Sequence, residues 1–443
     1  MNTLHSILRP RQFTSHRYFV SLVALLFLGA ILTGRTFASQ PNLPPGGNYT
    51  SIAAAPFGGF WVQVDDGART GTYAVDGAPQ YGTVNESGSI ATFPALSPSA
   101  QGYWIVTGAG RIYNRGYAPA LCDGYLPNCS GFYPSGGRHI VAAAASPDRK
   151  GLWAVDNQGA VWTAGDVSSM GDVTSEVHPP TAIVATPSGQ GYYILISDGG
   201  VYSFGDAVFY GSTGGSRPGG HDLTGIALSY NRNGQVNGYW LVGSDGGVFS
   251  FGDAPFLGSS GGVPGRGSIS NITTRPDGRS YAWVHKEGGV SLSRTVPTVN
   301  IGSVKSPNTL LTVADQRTDP GAPLSLDPPN TRLIQEWDLW PTNDDGDLVQ
   351  LVNVSTGLCA DAEMQQSNAT IIQWPCKGAN NEWDNQRWRL IQDSSGHTLL
   401  QSVLHPDSLM SGEASATGST VNLVPTSQVA DPLTVEWTIT QVQ

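Results

Sequence analysis

An internal repeat is the feature of this sequence that most restricts its fold. The segment 191–206, GYYILISDGGVYSFGD, returns almost unchanged at 238–253 as GYWLVGSDGGVFSFGD. Fainter copies are centred on four tryptophans, Trp61, Trp104, Trp153 and Trp283. Together the copies make six units of about 40 to 50 residues each, a period typical of stacked repeats and propellers.

Each unit reads as four short antiparallel strands. A β-prone stretch such as 183–187 ends at a proline, and an aromatic strand, a tight turn and a second strand follow. A further strand is predicted to end near Phe209 and Tyr210. Because sheets this small cannot bury both faces alone, they stack on their neighbours as the blades of a β-propeller. We expect the aromatic pair of each unit to pack between blades.

The fold class predicted for residues 44–297 is therefore all-β, a six-bladed β-propeller, or a seven-bladed one if a degenerate unit is present. The repeats resemble the GYWLV…DGGVFSFGDA repeats of exported bacterial proteins, which are similar to propeller blades. That resemblance implies no defined chemistry, so we expect the propeller to be a scaffold or an interaction platform. Its protein partner, if it has one, is unknown from the sequence.

The N-terminal residues are typical of an export signal. Three arginines and no acid precede residues 18–32, an almost wholly apolar run, and small residues follow up to Ala38. This pattern predicts a signal peptide at residues 1–38. An uncleaved anchor is the alternative, but the run is shorter than the roughly 20 residues that span a bilayer. We expect a secreted or extracellular protein, held at the cell surface if the segment is not cleaved.

The charge balance excludes some partners. The formal net charge is −11, and signal cleavage would remove four arginines and no acid. An acidic surface repels phosphate groups, so nucleic acid and anionic membranes are poor partners. The eight histidines are scattered through the sequence. We predict no metal site and no cofactor.

The four cysteines fall as two close pairs, Cys122 with Cys129 and Cys359 with Cys376. In an exported chain such pairs are expected to form local disulfides. Neither pair lies near histidines at the spacing of a metal site.

A second period begins after residue 294. Its marks are Gln335-Glu336-Trp337, Gln386-Arg387-Trp388 and the degenerate Val435-Glu436-Trp437, about 50 residues apart. These three motifs resemble the threefold repeat of ricin-type β-trefoil lectins. The resemblance implies that residues 299–443 form a β-trefoil carbohydrate-binding domain, in which each tryptophan anchors one lobe in a shared core.

The same resemblance implies one sugar site, in the middle lobe. Members of the family carry an aspartate after a cysteine-containing strand, an aromatic residue about a dozen positions on, and an Asn-Gln pair before the tryptophan. Here these are Asp361, Trp374, Asn385 and Gln386. The resemblance assigns Asp361 and Asn385 to sugar hydroxyls, Trp374 to stacking on the ring, and Gln386 to support of Asp361. We expect the side chains to line an exposed pocket that the Cys359–Cys376 bridge clamps.

The chemistry of these residue types suits a sugar, because carboxylates and carboxamides bond hydroxyl groups and an indole face covers apolar C–H groups. One departure is Ile372, which stands where the family often has a polar residue. The other lobes are predicted to be structural because the aspartate, aromatic and asparagine are replaced in each. The replacements are Thr312, Asp327 and Ile334 in the first lobe, and Gln401, Val424 and Thr434 in the third.

We predict no catalytic residues. Asp198 and Asp245 recur at one place in successive repeats, as do Asp206 and Asp253, which favours turn chemistry. The Gly-X-Ser-X-Gly match at 258–262 lies in a Gly/Ser loop and leads into no helix, so it is not a nucleophile elbow.

The sequence is compatible with three functions: a binding protein, an enzyme and a protein scaffold. A secreted carbohydrate-binding protein without catalysis is our main prediction. The alternative is a secreted glycoside hydrolase with a catalytic propeller, which a carboxylate pair in the central funnel would favour. A protein-binding scaffold with a vestigial lectin is the third, and failure to bind any glycan would favour it.

Overall fold

The computed structural model describes residues 47–55, 59–65, 70–75, 78–82, 84, 89–92, 102–121, 135–215, 220–231, 233–261, 267–293, 295–330, 332–342, 347–362, 369–377, 384–412 and 419–442. The protein is all-β, with strands and short 3-10 turns as its regular elements. Within these ranges no helix has the length and apolar character to cross a membrane. The predicted signal peptide, Cys122 and Cys129 lie outside the described residues.

The described residues of the N-terminal region form six antiparallel sheets of three strands, in chain order, with the middle strand paired to both others. The first three sheets contain β1 (Asn48–Ala54), β2 (Phe60–Asp65), β3 (Thr70–Val75); β4 (Ser89–Thr92), β5 (Gly102–Thr107), β6 (Ile112–Gly116); and β7 (Ile140–Ala145), β8 (Gly151–Asp156), β9 (Val161–Gly165). The last three contain β10 (Pro180–Ala185), β11 (Gly191–Ile196), β12 (Val201–Gly205); β13 (Leu223–Tyr230), β14 (Val236–Gly243), β15 (Val248–Gly252); and β16 (Ile269–Thr274), β17 (Tyr281–His285), β18 (Val290–Leu292).

The prediction of four strands per unit is wrong for the described residues. The chain near Phe209 and Tyr210 does not form a strand. A tyrosine of the next unit forms hydrogen bonds with its backbone instead. The Tyr239 hydroxyl donates to the Gly211 carbonyl oxygen and accepts a hydrogen bond from the Tyr210 amide at 3.2 Å. A side chain thus satisfies the groups that a fourth strand would have paired.

The same tyrosine bond recurs between other units. The Tyr192 and Tyr281 hydroxyls donate to the carbonyl oxygens of Gly171 and Gly258, at 2.6 Å each. The second aromatic residue of a unit also packs on this tyrosine, since the ring centroids of Trp153 and Tyr192 lie 5.7 Å apart. The prediction that the aromatic pair lies between units is confirmed.

The six sheets contact one another in a closed circle. Each of six apolar clusters joins two neighbouring sheets. The cluster that closes the circle contains Ile52 and Val62 of the first sheet and Val284 of the sixth. There the Tyr49 amide also donates to the Lys286 carbonyl oxygen at 2.9 Å.

A cavity of about 310 Å³ lies among the first strands of five sheets. Each of these strands has a β-bulge at the corresponding place, beside Thr50, Val141, Thr181, Thr224 and Ser270. All five bulge residues line the cavity. None of the described residues that line it is Asp or Glu.

In the C-terminal region the described residues form one network of twelve strands. These are β19 (Thr298–Ser303), β20 (Leu310–Val313), β21 (Leu324–Asp327), β22 (Glu336–Pro341), β23 (Leu348–Asn353), β24 (Cys359–Ala362), β25 (Ile371–Trp374), β26 (Trp388–Gln392), β27 (Thr398–Ser402), β28 (Ser408–Gly412), β29 (Ser419–Pro425) and β30 (Glu436–Gln441). Five 3-10 turns join them, at Ala314–Gln316, Leu333–Gln335, Asp384–Gln386, Thr426–Gln428 and Pro432–Val435.

Three buried tryptophans give this network its threefold repeat. Trp337, Trp388 and Trp437 belong to a single apolar core and are fully buried. Their indole N–H groups donate to corresponding carbonyl oxygens, those of Leu311 at 3.0 Å, Ala360 at 3.1 Å and Met410 at 3.1 Å. Each tryptophan therefore fixes one lobe to the shared core, as the sequence predicts.

Candidate functional site

The predicted site lies on two paired strands and a 3-10 turn of the middle lobe. β24 and β25 pair antiparallel, with Cys359 opposite Trp374 and Asp361 opposite Ile372. The predicted disulfide between Cys359 and Cys376 is present. It joins the start of β24 to the residues just after β25, so it links the two strands that carry Asp361 and Trp374.

The Asp361 carboxylate is held by two amides from the turn at Asp384–Gln386. Asn385 Nδ2 donates to Oδ1 at 2.7 Å, and Gln386 Nε2 donates to Oδ2 at 2.9 Å. Gln386 is itself fixed, because its Nε2 also donates to the Pro375 carbonyl oxygen at 3.0 Å. The two amides therefore fix the orientation of the Asp361 carboxylate.

Lys377 is a site residue that sequence reasoning missed. Its Nζ donates to Asn385 Oδ1 at 3.0 Å and lies 3.8 Å from Asp361 Oδ2. Its amide donates to Gln386 Oε1 at 2.8 Å. The only signal in the sequence was its place directly after Cys376, and no motif assigned it a role. The structure thus adds a cation to a site that the sequence described as one acid, two amides and an indole.

The expectation that all four side chains line an exposed pocket is wrong in part. Asp361, Asn385 and Gln386 are only 3%, 2% and 0% exposed, whereas Trp374 is 44% exposed. The three polar side chains are buried, and they form hydrogen bonds to one another below the protein surface. The indole of Trp374 is the broad apolar surface that the cluster presents to solvent.

The threefold repeat shows which residues of the other lobes correspond to Asp361. Asp361 directly follows Ala360, the acceptor of the Trp388 indole, and Thr312 and Ser411 follow the corresponding acceptors. The third-lobe counterpart is therefore Ser411, and the prediction of Gln401 is wrong. Gln401 lies on β27, one strand too early.

The counterparts of the stacking residue agree with the sequence analysis. Asp327 is opposite Leu310 and Val424 is opposite Leu409, as Trp374 is opposite Cys359. The first and third lobes thus lack both the carboxylate and the aromatic ring at these places.

The aspartates of the repeats have local structural roles. Oδ1 of Asp198 accepts the Gly200 amide, and Oδ1 of Asp245 accepts the Gly247 amide, at 2.9 Å each. Asp206 accepts hydrogen bonds from two hydroxyl groups of its own unit. These contacts confirm the predicted turn chemistry. In the described part of the chain no carboxylate pair faces the central cavity, so no observation there favours the hydrolase alternative.

Comparison with known proteins places the site in a lectin-type domain. Residues 334–440 match the family described as ricin-type beta-trefoil lectin domain-like, and they carry a ricin-type β-trefoil lectin domain. Similar solved structures include the designed 3-fold symmetric protein ThreeFoil, at 22% identity and a TM-score of 0.29 over 33% of this chain and 99% of that one. The Rhizoctonia solani agglutinin is 16% identical, with a TM-score of 0.28 over 34% of this chain and 98% of that one.

A third similar structure is the BEL beta-trefoil, 13% identical with a TM-score of 0.27, which covers 33% of this chain and 93% of that one. No curated protein matches the sequence of this chain.

Proposed function

We propose that this chain is an exported carbohydrate-binding protein without catalysis, and that its one sugar site is formed by Asp361, Trp374, Asn385 and Gln386. The observation that carries the proposal is the arrangement of the middle lobe. There two amides orient a buried carboxylate on the strand next to an exposed indole. The first and third lobes share the fold but lack this set.

The chemistry of the cluster fits a sugar with adjacent hydroxyl groups. The carboxylate of Asp361 accepts hydrogen bonds from sugar hydroxyl groups, while the ammonium group of Lys377 donates to a hydroxyl oxygen. The indole of Trp374 covers the apolar side of the ring. Gln386 is a positioning residue, because it bonds Asp361 and the backbone.

For the repeats we propose a six-bladed β-propeller over residues 44–297, acting as a scaffold or an interaction platform. Six sheets in a closed circle support it, as do aromatic side chains between neighbouring sheets and a central cavity among the first strands. The trefoil would occupy residues 299–443, which agrees with the gap between β18 and β19.

Export is proposed from the N-terminal sequence, with a signal peptide at residues 1–38. The Cys359–Cys376 disulfide supports it, since such bonds persist in oxidising compartments.

One site of this size is expected to bind a single sugar at about millimolar Kd, near −4 kcal/mol. Useful retention would then come from a polymeric glycan or from several copies of the protein.

The test is a glycan array followed by calorimetry on the mature chain, residues 39–443. We expect binding to at least one glycan, and loss of most of it in Trp374→Ala and in Asp361→Ala, each worth about 1.5 to 3 kcal/mol. Thr312→Ala, at the corresponding place of the first lobe, is the matched control and should bind normally. If no glycan is bound, the protein-binding scaffold is favoured. Binding that survives in a folded Asp361→Ala, Trp374→Ala double mutant would place the site elsewhere.

A further inference from the structure

A second cluster of ionisable side chains lies on the trefoil. Asp393 and His397 flank the turn between β26 and β27, and Glu436 begins β30. His397 Nδ1 lies 2.9 Å from Glu436 Oε2 and 3.6 Å from Asp393 Oδ2. One possible ligand atom from each residue lies within 4.8 Å of the other two.

The local structure directs these atoms toward one point. Oδ1 of Asp393 accepts the amides of Ser395 and His397, at 2.8 and 2.9 Å, which leaves Oδ2 facing the imidazole. Leu399 pairs with Glu436 in the ladder of β27 and β30 and brings the second carboxylate beside the turn. The side chains of Asp393, His397 and Glu436 keep 18%, 30% and 16% of their surface exposed, so an ion can reach them.

The cluster has an excess of negative charge. Among the described residues, no Lys or Arg forms an ion pair with Asp393 or Glu436, and His397 is their one cationic partner when it is protonated. With neutral imidazole, two largely buried carboxylates share a small volume. Removing such charges from water is unfavourable unless a cation compensates them.

The corresponding pairing of β22, β23 and β26 has other residues at these places. The Asp393 amide donates to the His397 carbonyl oxygen at 3.0 Å, and the Thr342 amide donates to that of Leu348 at 2.8 Å in the corresponding turn. The ladder that pairs Thr398 with Trp437 likewise pairs Val349 with Trp388. By this correspondence Thr342, Leu348 and Arg387 stand where Asp393, His397 and Glu436 do, so the paired strands form there without an acid–histidine cluster.

We propose that Asp393 Oδ2, His397 Nδ1 and Glu436 Oε2 bind a divalent zinc-type ion that links the turn between β26 and β27 to β30. One nitrogen and two carboxylate oxygens, with water as a fourth ligand, are a ligand set that Zn²⁺ accepts. Mg²⁺ and Ca²⁺ prefer oxygen ligands alone. Tetrahedral ligands about 2.1 Å from zinc lie about 3.4 Å apart. The separations of 2.9 and 3.6 Å are close to this value, and all three atoms lie within 4.8 Å of one another.

Binding would release any proton on His397 Nδ1, because that nitrogen must be unprotonated to coordinate. This site and its ligand are independent of the proposed sugar site.

The experiment is a calorimetric titration of the metal-stripped mature chain with ZnCl₂ at pH 7.0, with thermal unfolding measured beside it. We expect one equivalent of Zn²⁺ to bind and to raise the Tm, and a loss of affinity of at least about tenfold in His397→Gln and in Asp393→Asn. His139→Gln, which changes a histidine of the repeats, is the matched control and should retain binding. If His397→Gln does not fold, Glu436→Gln replaces it.

Two results would overturn the proposal. One is the absence of saturable binding up to about 1 mM Zn²⁺, a range in which even a −4 kcal/mol site is detected. The other is unchanged affinity in the folded His397→Gln or Glu436→Gln variant, which would leave the cluster as an ion pair only.

Discussion

Gln386 holds Asp361 in place across 25 residues of sequence, through a 2.9 Å hydrogen bond from its side-chain amide to Oδ2. Both groups are buried, so the bond is made without competition from water. The orientation of the Asp361 carboxylate therefore depends on Gln386, a residue that is itself not exposed to solvent.

We predict that Gln386→Ala weakens sugar binding and also destabilises the trefoil by about 1 to 3 kcal/mol, because buried acceptors lose their donor. Gln335→Ala is the matched control, since Gln335 is the buried counterpart in the first lobe and donates to the Pro328 carbonyl oxygen at 2.9 Å. It should lower stability in urea unfolding but leave glycan affinity unchanged. Equal affinity losses in both variants would contradict a positioning role for Gln386.

The three core tryptophans lead to a second prediction. Trp388→Ala removes a fully buried side chain and its hydrogen bond to Ala360, and should cost about 3 to 5 kcal/mol in the free energy of unfolding. Trp337→Ala and Trp437→Ala should cost similar amounts, because all three occupy corresponding places in one core. Chemical denaturation monitored by circular dichroism measures these values. A loss below about 1 kcal/mol in any of the three would argue against a shared core.

Gly211 leads to a third prediction, because its carbonyl oxygen accepts the Tyr239 hydroxyl that joins two units. Its φ is 126°, and an added Cβ would lie 2.8 Å from a ring carbon of Phe251. Gly211→Ala should therefore cost about 1 to 3 kcal/mol, the range for a strained backbone position. Gly215→Ala is the control that separates backbone strain from steric overlap. Gly215 also has a positive φ, of 78°, but an added Cβ would lie in open space. We expect the smaller thermal destabilisation in Gly215→Ala.

Alkaline pH should destabilise the repeats. Loss of solvation raises the pKa of Tyr103 and of Tyr193 to about 12. Between the ordinary tyrosine pKa of about 10 and this value, the unfolded chain releases protons that the folded chain retains. Stability is therefore full below pH 10 and falls as the pH rises toward 12.

Urea unfolding at several pH values measures this loss. Tyr193→Phe should lower stability at pH 7, because it removes a hydrogen bond to the Val208 carbonyl oxygen, but should flatten the decline above pH 10. Tyr117→Phe is the control, since Tyr117 is 79% exposed and should leave the decline as it is. A decline of the same slope in Tyr193→Phe would show that other groups cause it.

Features built from short motifs could be predicted from the sequence. Trp337, Trp388 and Trp437 mark the lobes because each repeats the same bond to its own lobe. The pairing of Cys359 with Cys376 follows from their closeness in the chain, and the aromatic pairs of the repeats show in the sequence as a period.

Features that depend on strand register or on contacts between units could not be predicted. Ser411, the third-lobe counterpart of Asp361, was not predicted because spacing in the sequence pointed to Gln401 on β27. The hydrogen bond from the Trp437 indole to Met410 shows that the corresponding position lies on β28. The missing fourth strand depends on Tyr239, which belongs to the next unit. His397 and Glu436 meet across 39 residues only because β27 pairs with β30.

The bond from Tyr49 to Lys286 joins the first sheet of the circle to the last. The chain therefore enters the circle near residue 47 and leaves it near residue 293 at the same seam, with the trefoil following from Thr298. A pulling force between an N-terminal attachment and a glycan on the trefoil would act across this one seam. The other five joints would carry little load. The resistance of the protein to tension would then depend on the Tyr49–Lys286 hydrogen bond and the apolar contacts of Ile52, Val62 and Val284.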